Sequence, residues 1–114
     1  MKRFWAAAAA VLVLSGCSAP PKATVDDYLK VVRAIPQLTE APDDSLIKVG
    51  ESTCTTLDAT QDTGMNPGEA WDTVIGGFSD GGSVTVSQAS VIVAAAIAVF
   101  CPEHDAVIPD DVRG

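Results

Sequence analysis

Apolar and polar positions alternate along this chain with helical periods, and five apolar blocks divide it. The first, Phe4 to Leu14, is a continuous run behind Lys2 and Arg3. In the second, Val25, Tyr28, Leu29 and Val32 share one face at helical spacing. Thr24-Val25-Asp26-Asp27 sets a hydroxyl ahead of an acidic third position, a variant of the capping box. These signals predict a helix from Thr24 to about Ala34. Pro36 ends it, because Ile35 before a proline is pushed towards extended geometry.

A second helix is predicted from Asp43-Asp44-Ser45, with Leu46, Ile47, Gly50, Cys54 and Leu57 on one buried stripe. Gly50 lowers helix propensity but permits a close helix crossing, and Thr53, Thr55 and Thr56 weaken the helix further. Asp58 to Met65 is expected as a polar loop. A third helix should begin at Asn66-Pro67-Gly68-Glu69, where an N-cap precedes a proline and a glutamate follows three residues on. Ala70, Trp71, Val74, Ile75 and Phe78 form its apolar side, and Gly76-Gly77 is expected to stop it near Ile75. In the fourth, Thr85-Val86-Ser87-Gln88 is a capping box, with Val84 placed for a staple against Ala89. Val91 to Cys101 is wholly apolar, so this helix should be buried on several sides. Pro102 closes it. The expected fold is all-α, a small bundle of about four helices over residues 24–104, followed by a disordered acidic tail over 105–114.

The first block changes the picture of the whole chain. A basic tip, 11 apolar residues and small residues at the boundary describe a secretory signal over residues 1–16, too short to span a bilayer as a permanent helix. Leu14-Ser15-Gly16-Cys17 resembles the bacterial lipobox. There the cysteine takes a diacylglyceryl thioether and cleavage falls between Gly16 and Cys17. Residues 17–23, with Pro20-Pro21, read as a stiff tether of at most about 25 Å. The expected address is the extracytoplasmic face of the cell membrane, reached through a lipid anchor such as palmitate.

Cleavage there removes Lys2 and Arg3 and no acidic residue, leaving five basic side chains against 15 acidic ones. Such a surface does not bind nucleic acid through phosphates, and an anionic bilayer repels it. Anchoring therefore falls to the lipid, where each buried methylene contributes about 0.8 kcal/mol and two chains hold where one does not.

The charge balance leaves the chemistry open, and the cysteines narrow it. With Cys17 acylated, Cys54 and Cys101 have only each other, and outside the cytoplasm they should be oxidised. The loop this closes is worth about 4 kcal/mol in the chain-entropy model. That is large beside the roughly 5–10 kcal/mol expected for a small domain. The bridge lacks the close spacing of redox pairs and reads as structural.

No catalytic, metal or cofactor set emerges. Two cysteines and His104 lack a fourth zinc ligand. Asp58, Thr60, Asp62 and Glu69 fall at calcium-loop positions, but Gly64 is misplaced and Pro67 lies inside the loop. Gly76 to Ser83 is glycine-rich without a following Gly-Lys-Ser/Thr. His104, the one histidine, reads as a solvent-facing residue at a helix end, and no Gly-x-Ser-x-Gly occurs.

Asp27-Tyr28-Leu29, Ile47-Lys48-Val49-Gly50 leading to Cys54-Thr55-Thr56-Leu57-Asp58, Gln88-Ala89 and Phe100-Cys101-Pro102 together carry a likeness. They resemble a family of small exported actinobacterial and actinobacteriophage proteins, domain-of-unknown-function family 732. The likeness covers about Asp26 to His104 and is weak from Thr60 to Gly82. Phe100 stands where the family commonly has tyrosine. The resemblance implies a compact helical domain with one disulfide, exported or lipid-anchored, and brings no activity with it.

The reading that follows is a non-catalytic interaction module of the cell envelope, whose partner is an envelope or phage protein. Phages of such hosts can encode small lipoproteins that block later infection, so superinfection exclusion is one specific version. A carrier of a small apolar ligand, with Trp71, Phe78 and Phe100 lining its pocket, is the other alternative.

Overall fold

A computed structural model describes residues 23–113, which form helices and no strand among the described residues. Helix α1 spans Val25–Arg33, α2 Asp43–Asp62, α3 Pro67–Ser79, α4 Val86–Phe100 and α5 Asp110–Arg113. Single 3-10 segments at Pro36–Leu38 and Pro102–Val107 complete the chain. No helix among the described residues is long and apolar enough to cross a membrane. The leader, the tether, Gly16 and Cys17 lie outside the described residues.

Three helices start on reciprocal caps that their sequences encode. The Asp27 amide donates to Thr24 Oγ1 at 3.2 Å, and the Thr24 amide donates to Asp27 Oδ2 at 2.9 Å. Asn66 with Glu69 and Thr85 with Gln88 repeat the arrangement for α3 and α4. Each box satisfies amide groups that the first helical turn leaves without intrahelical acceptors. The Thr24 backbone amide, with its hydroxyl, holds the Asp27 carboxyl below its ordinary range. Ile35 is extended ahead of Pro36, as the proline demands.

α4 is the central element, packed against α1, α2 and α3. Ala89, Ile92, Val93, Ala96 and Ile97 form its buried face. Val91 is 43 % exposed, so the helix is covered on three sides rather than all round. Val84, buried just before the Thr85 cap, joins the same core as Ala89. Around α4 stand Tyr28 and Val32 from α1, Leu46 and Leu57 from α2, and Trp71, Val74 and Ile75 from α3.

Two elements run past their expected ends. α2 continues through Asp58 to Asp62, so of the residues with calcium-loop spacing Asp58, Thr60 and Asp62 lie in its last turn and Glu69 in the first turn of α3. Its threonines remain helical by donating back to the helix. Thr53 Oγ1 reaches Val49 O at 2.9 Å, and Thr60 Oγ1 reaches Leu57 O at 2.8 Å. Both are buried, and these bonds satisfy hydroxyls that would otherwise be costly to bury. The helix stops at Gly64, whose φ of 78° is the left-handed conformation glycine adopts freely. Met65 N donates to Thr60 O and Gly64 N to Gln61 O, the two bonds of a Schellman cap.

α3 likewise passes through Gly76 and Gly77 to Ser79, whose hydroxyl donates to Ile75 O at 3.1 Å. Packing of Trp71, Val74 and Ile75 on α4 outweighs the low helix propensity of two glycines.

The acidic tail corrects a further expectation. Rather than losing order from Asp105, the chain forms the second 3-10 segment and α5, with Ile108 buried between them. Arg113 secures this turn: Nη1 donates to Asp105 Oδ2 at 2.6 Å, and Nη2 donates to Asp105 O and Ile108 O. Ile108, with Val107 and Val112 packed beside the core, and Arg113 fold this acidic segment back.

Candidate functional site

Cys54 and Cys101 meet as expected. Cys54 on α2 and Cys101 at the end of α4 form a disulfide, their Cα atoms 5.9 Å apart. Asp58 lies one turn beyond Cys54, and His104 three residues beyond Cys101. His104 Nε2–H donates to Asp58 Oδ1 at 2.7 Å. His104 is 6 % exposed and Asp58 is on the surface. The histidine is thus neither solvent-facing nor helix-terminal, because the 3-10 segment turns it inward against α2. A carboxylate oxygen of Glu103 lies close by, and one candidate ligand atom from each of Asp58, Glu103 and His104 falls within 4.8 Å of the others. One imidazole and two exposed carboxylates could supply three ligands. The His104–Asp58 contact ties the chain leaving α4 to α2, a clasp beside the disulfide.

Above the disulfide, α1, α2 and α4 meet at Gly50. A Cβ added there would lie 2.5 Å from Phe100 Cε2 and 3.1 Å from Tyr28 Cζ. The rings of Tyr28 and Phe100 meet edge to face, with centroids 5.1 Å apart and planes at 76°. Tyr28 OH donates to Leu46 O at 2.5 Å. Burial pushes the phenol up to about 12, against a smaller opposing effect of the Gly50 backbone. At neutral pH Tyr28 is therefore a fixed donor, not a base.

A crevice of about 370 Å³ runs between α2 and α3. Lys48, Ser52 and Thr56 lie along its α2 side, and Thr73, Gly77 and Phe78 along its α3 side. A second cavity of about 230 Å³ adjoins it, walled by Val32, Leu46 and Ile92 among others. The two share Val49, Gly77 and Phe78. Of the three aromatics expected to line a pocket, only Phe78 does so. Trp71 is core, and Phe100 is locked on Tyr28. The Lys48-Ser52-Thr56 ridge was missed, although its one-turn spacing is visible in the sequence.

Apolar-faced helices joined by one bridge occur in unrelated proteins, so the fold alone does not place this chain. No curated protein and no solved structure matches it. A family described as "Protein of unknown function (DUF732)" matches residues 24–103, which begin at the Thr24 cap and end beside His104. The match spans well over half the chain, including both cysteines of the bridge, and the chain belongs to this family.

Proposed function

We propose that this protein is a lipid-anchored module on the extracytoplasmic face of a cell membrane, and that it works by binding an envelope protein rather than by catalysis. The observation that carries the reading is the cysteine arrangement. Cys54 and Cys101 are bonded to each other, and the third cysteine, Cys17, stands in Leu14-Ser15-Gly16-Cys17 behind a basic tip and an apolar run. A disulfide of this kind suits an oxidising compartment.

The chemistry of the folded part supports a binding role. Its buried titratable side chains are engaged structurally, Tyr28 with Leu46 and His104 with Asp58. Its surface is acidic, so a partner with a basic face gains long-range attraction. The short tether keeps that surface within about 25 Å of the bilayer.

Expression of the full chain in a host with lipoprotein-processing enzymes tests the reading. Radiolabelled palmitate should enter the wild-type protein, which should sediment with membranes. Cys17→Ser should lose the label, leave the membrane fraction and keep the Cys54–Cys101 bridge. Membrane retention of unlabelled Cys17→Ser would refute the anchor.

A further inference from the structure

The crevice between α2 and α3 and the cavity adjoining it have complementary linings. The smaller cavity is walled mainly by apolar residues, Val32, Leu46 and Ile92 among them, with the exposed Ser83 at its edge. The outer crevice opens to solvent along a polar ridge: Lys48, Ser52 and Thr56 follow one another at one-turn intervals on α2. The two spaces meet at Val49, Gly77 and Phe78. Together they fall within the range of roughly 300–1,000 Å³ typical of small-molecule sites.

Gly77 keeps the junction open. It lies inside α3, where glycine disfavours the helix, yet its backbone has no positive φ and a Cβ placed on it would meet nothing within 4 Å. Neither backbone geometry nor close packing requires glycine there. Gly77 is exposed, and its absent side chain leaves open space on the wall that the two cavities share.

Charge selects the occupant. Among the described residues Arg33 is paired with Asp43, Arg113 with Asp105, and Lys30 stands beside Asp27. Lys48, in an acidic protein, has no ion pair among them and sits at the mouth of the crevice. Ser52 follows it one turn along α2, and Thr56 two turns along.

We infer that this site binds a single-chain amphiphile with an anionic head group, a fatty acid or a lysophospholipid. The hydrocarbon chain enters past Gly77 and Phe78 into the second cavity, and the head group stays at Lys48 with the Ser52 hydroxyl one turn away. The inference does not depend on the lipid anchor.

Cells making the full chain are fed a palmitate that carries a photoreactive diazirine and an alkyne, then irradiated, and the protein's peptides are mapped by mass spectrometry. Light-dependent adducts are expected on peptides from residues 48–56 and 73–78. An acyl group on Cys17 would form without light and on a different peptide, so failure of the anchor reading and failure of this one are distinguishable. An adduct mass of the free acid or of a lysophospholipid tells which carries the head group. Lys48→Gln, an exposed change that leaves the core intact, should lower the adduct by about fivefold, the scale of an exposed ionic contact. Gly77→Leu, with its disulfide formed, should lower it by at least about tenfold, the loss expected of a blocked hydrophobic site. No adduct, adducts scattered over the surface or an adduct of diacyl mass would overturn the inference. So would unchanged labelling of either variant.

Discussion

His104 donates to Asp58 at 2.7 Å a single turn beyond the point where Cys101 is bonded to Cys54. A covalent bond and a hydrogen bond thus hold the same two segments together, the middle of α2 and the chain leaving α4. They differ in what they act on. The disulfide mainly restricts the unfolded chain, whereas the Asp58 contact satisfies a buried nitrogen in the folded one. Replacing both Cys54 and Cys101 by alanine should lower unfolding free energy by about 4 kcal/mol. Asp58→Ala should cost about 1–3 kcal/mol, because it leaves the His104 nitrogen without its partner. Denaturant titration of each variant measures both. An Asp58→Ala protein as stable as wild type would show that the clasp contributes nothing.

Gly50 and Gly77 should respond to alanine in opposite directions. At Gly50 the new methyl group meets Phe100 and Tyr28, whose rings are already locked edge to face. Overpacking of this kind costs about 1–3 kcal/mol, partly offset by helix propensity. At Gly77 the methyl meets nothing, so Gly77→Ala should stabilise by up to about 1 kcal/mol. Thermal melts should show Tm falling for the first and rising for the second. A stabilised Gly50→Ala would mean that the helices do not cross as closely as described.

Tyr28 is the one tyrosine of the chain, so its ionisation can be followed directly in the ultraviolet. In the unfolded chain it ionises near 10, and burial raises this to about 12 in the fold. Between those values the unfolded state releases a proton that the folded state retains. Stability should therefore be unaffected by this group below pH 10 and fall as pH rises towards 12. Tyr28→Phe should remove that alkaline loss and cost about 1 kcal/mol at neutral pH, the worth of its bond to Leu46 O. At the acid end the sign reverses. The Asp27 carboxyl is held low by Thr24, so the α1 cap weakens as pH falls through its lowered range. A tyrosine that titrates normally in the folded protein would contradict the buried donor.

Ile108 carries the burial of the C-terminal turn. Ile108→Ala should destabilise the domain by about 2 kcal/mol, and proteolysis should then begin in residues 105–113. Arg113→Ala should loosen the same segment with a smaller effect on the global melt, since its partners are mostly exposed. If proteolysis and stability are unchanged by Ile108→Ala, the tail is not packed as described.

Much of the fold is legible in short stretches. Three capping boxes, a proline stop after α1 and the wholly apolar run of α4 from Val91 are local features, and each appears where the residues place it. The elements that were misjudged depend on distant residues. The threonines of α2 argue against a helix until their hydroxyls are seen donating to Val49 O and Leu57 O. The true stop, Gly64, lies inside the stretch read as a loop from Asp58. Gly76-Gly77 reads as a terminator because propensity is local, while the packing that overrides it comes from α4. The clasp between His104 and Asp58 joins residues 46 apart, and neither has a periodic pattern to reveal it. Ile108, in a short acidic stretch with no helical period, is equally silent. At the candidate site, Phe78 was legible as an apolar residue, while the cavity itself arises from how α2 and α3 pack.

Intact-protein and peptide mass spectrometry of the full chain, purified from a host with lipoprotein-processing enzymes, tests the central claim most directly. The account predicts a mature chain that begins at Cys17, with acyl mass on that residue and Cys54 joined to Cys101. An unmodified Cys17, or a Cys17 found in a disulfide with either of the other two, would contradict it.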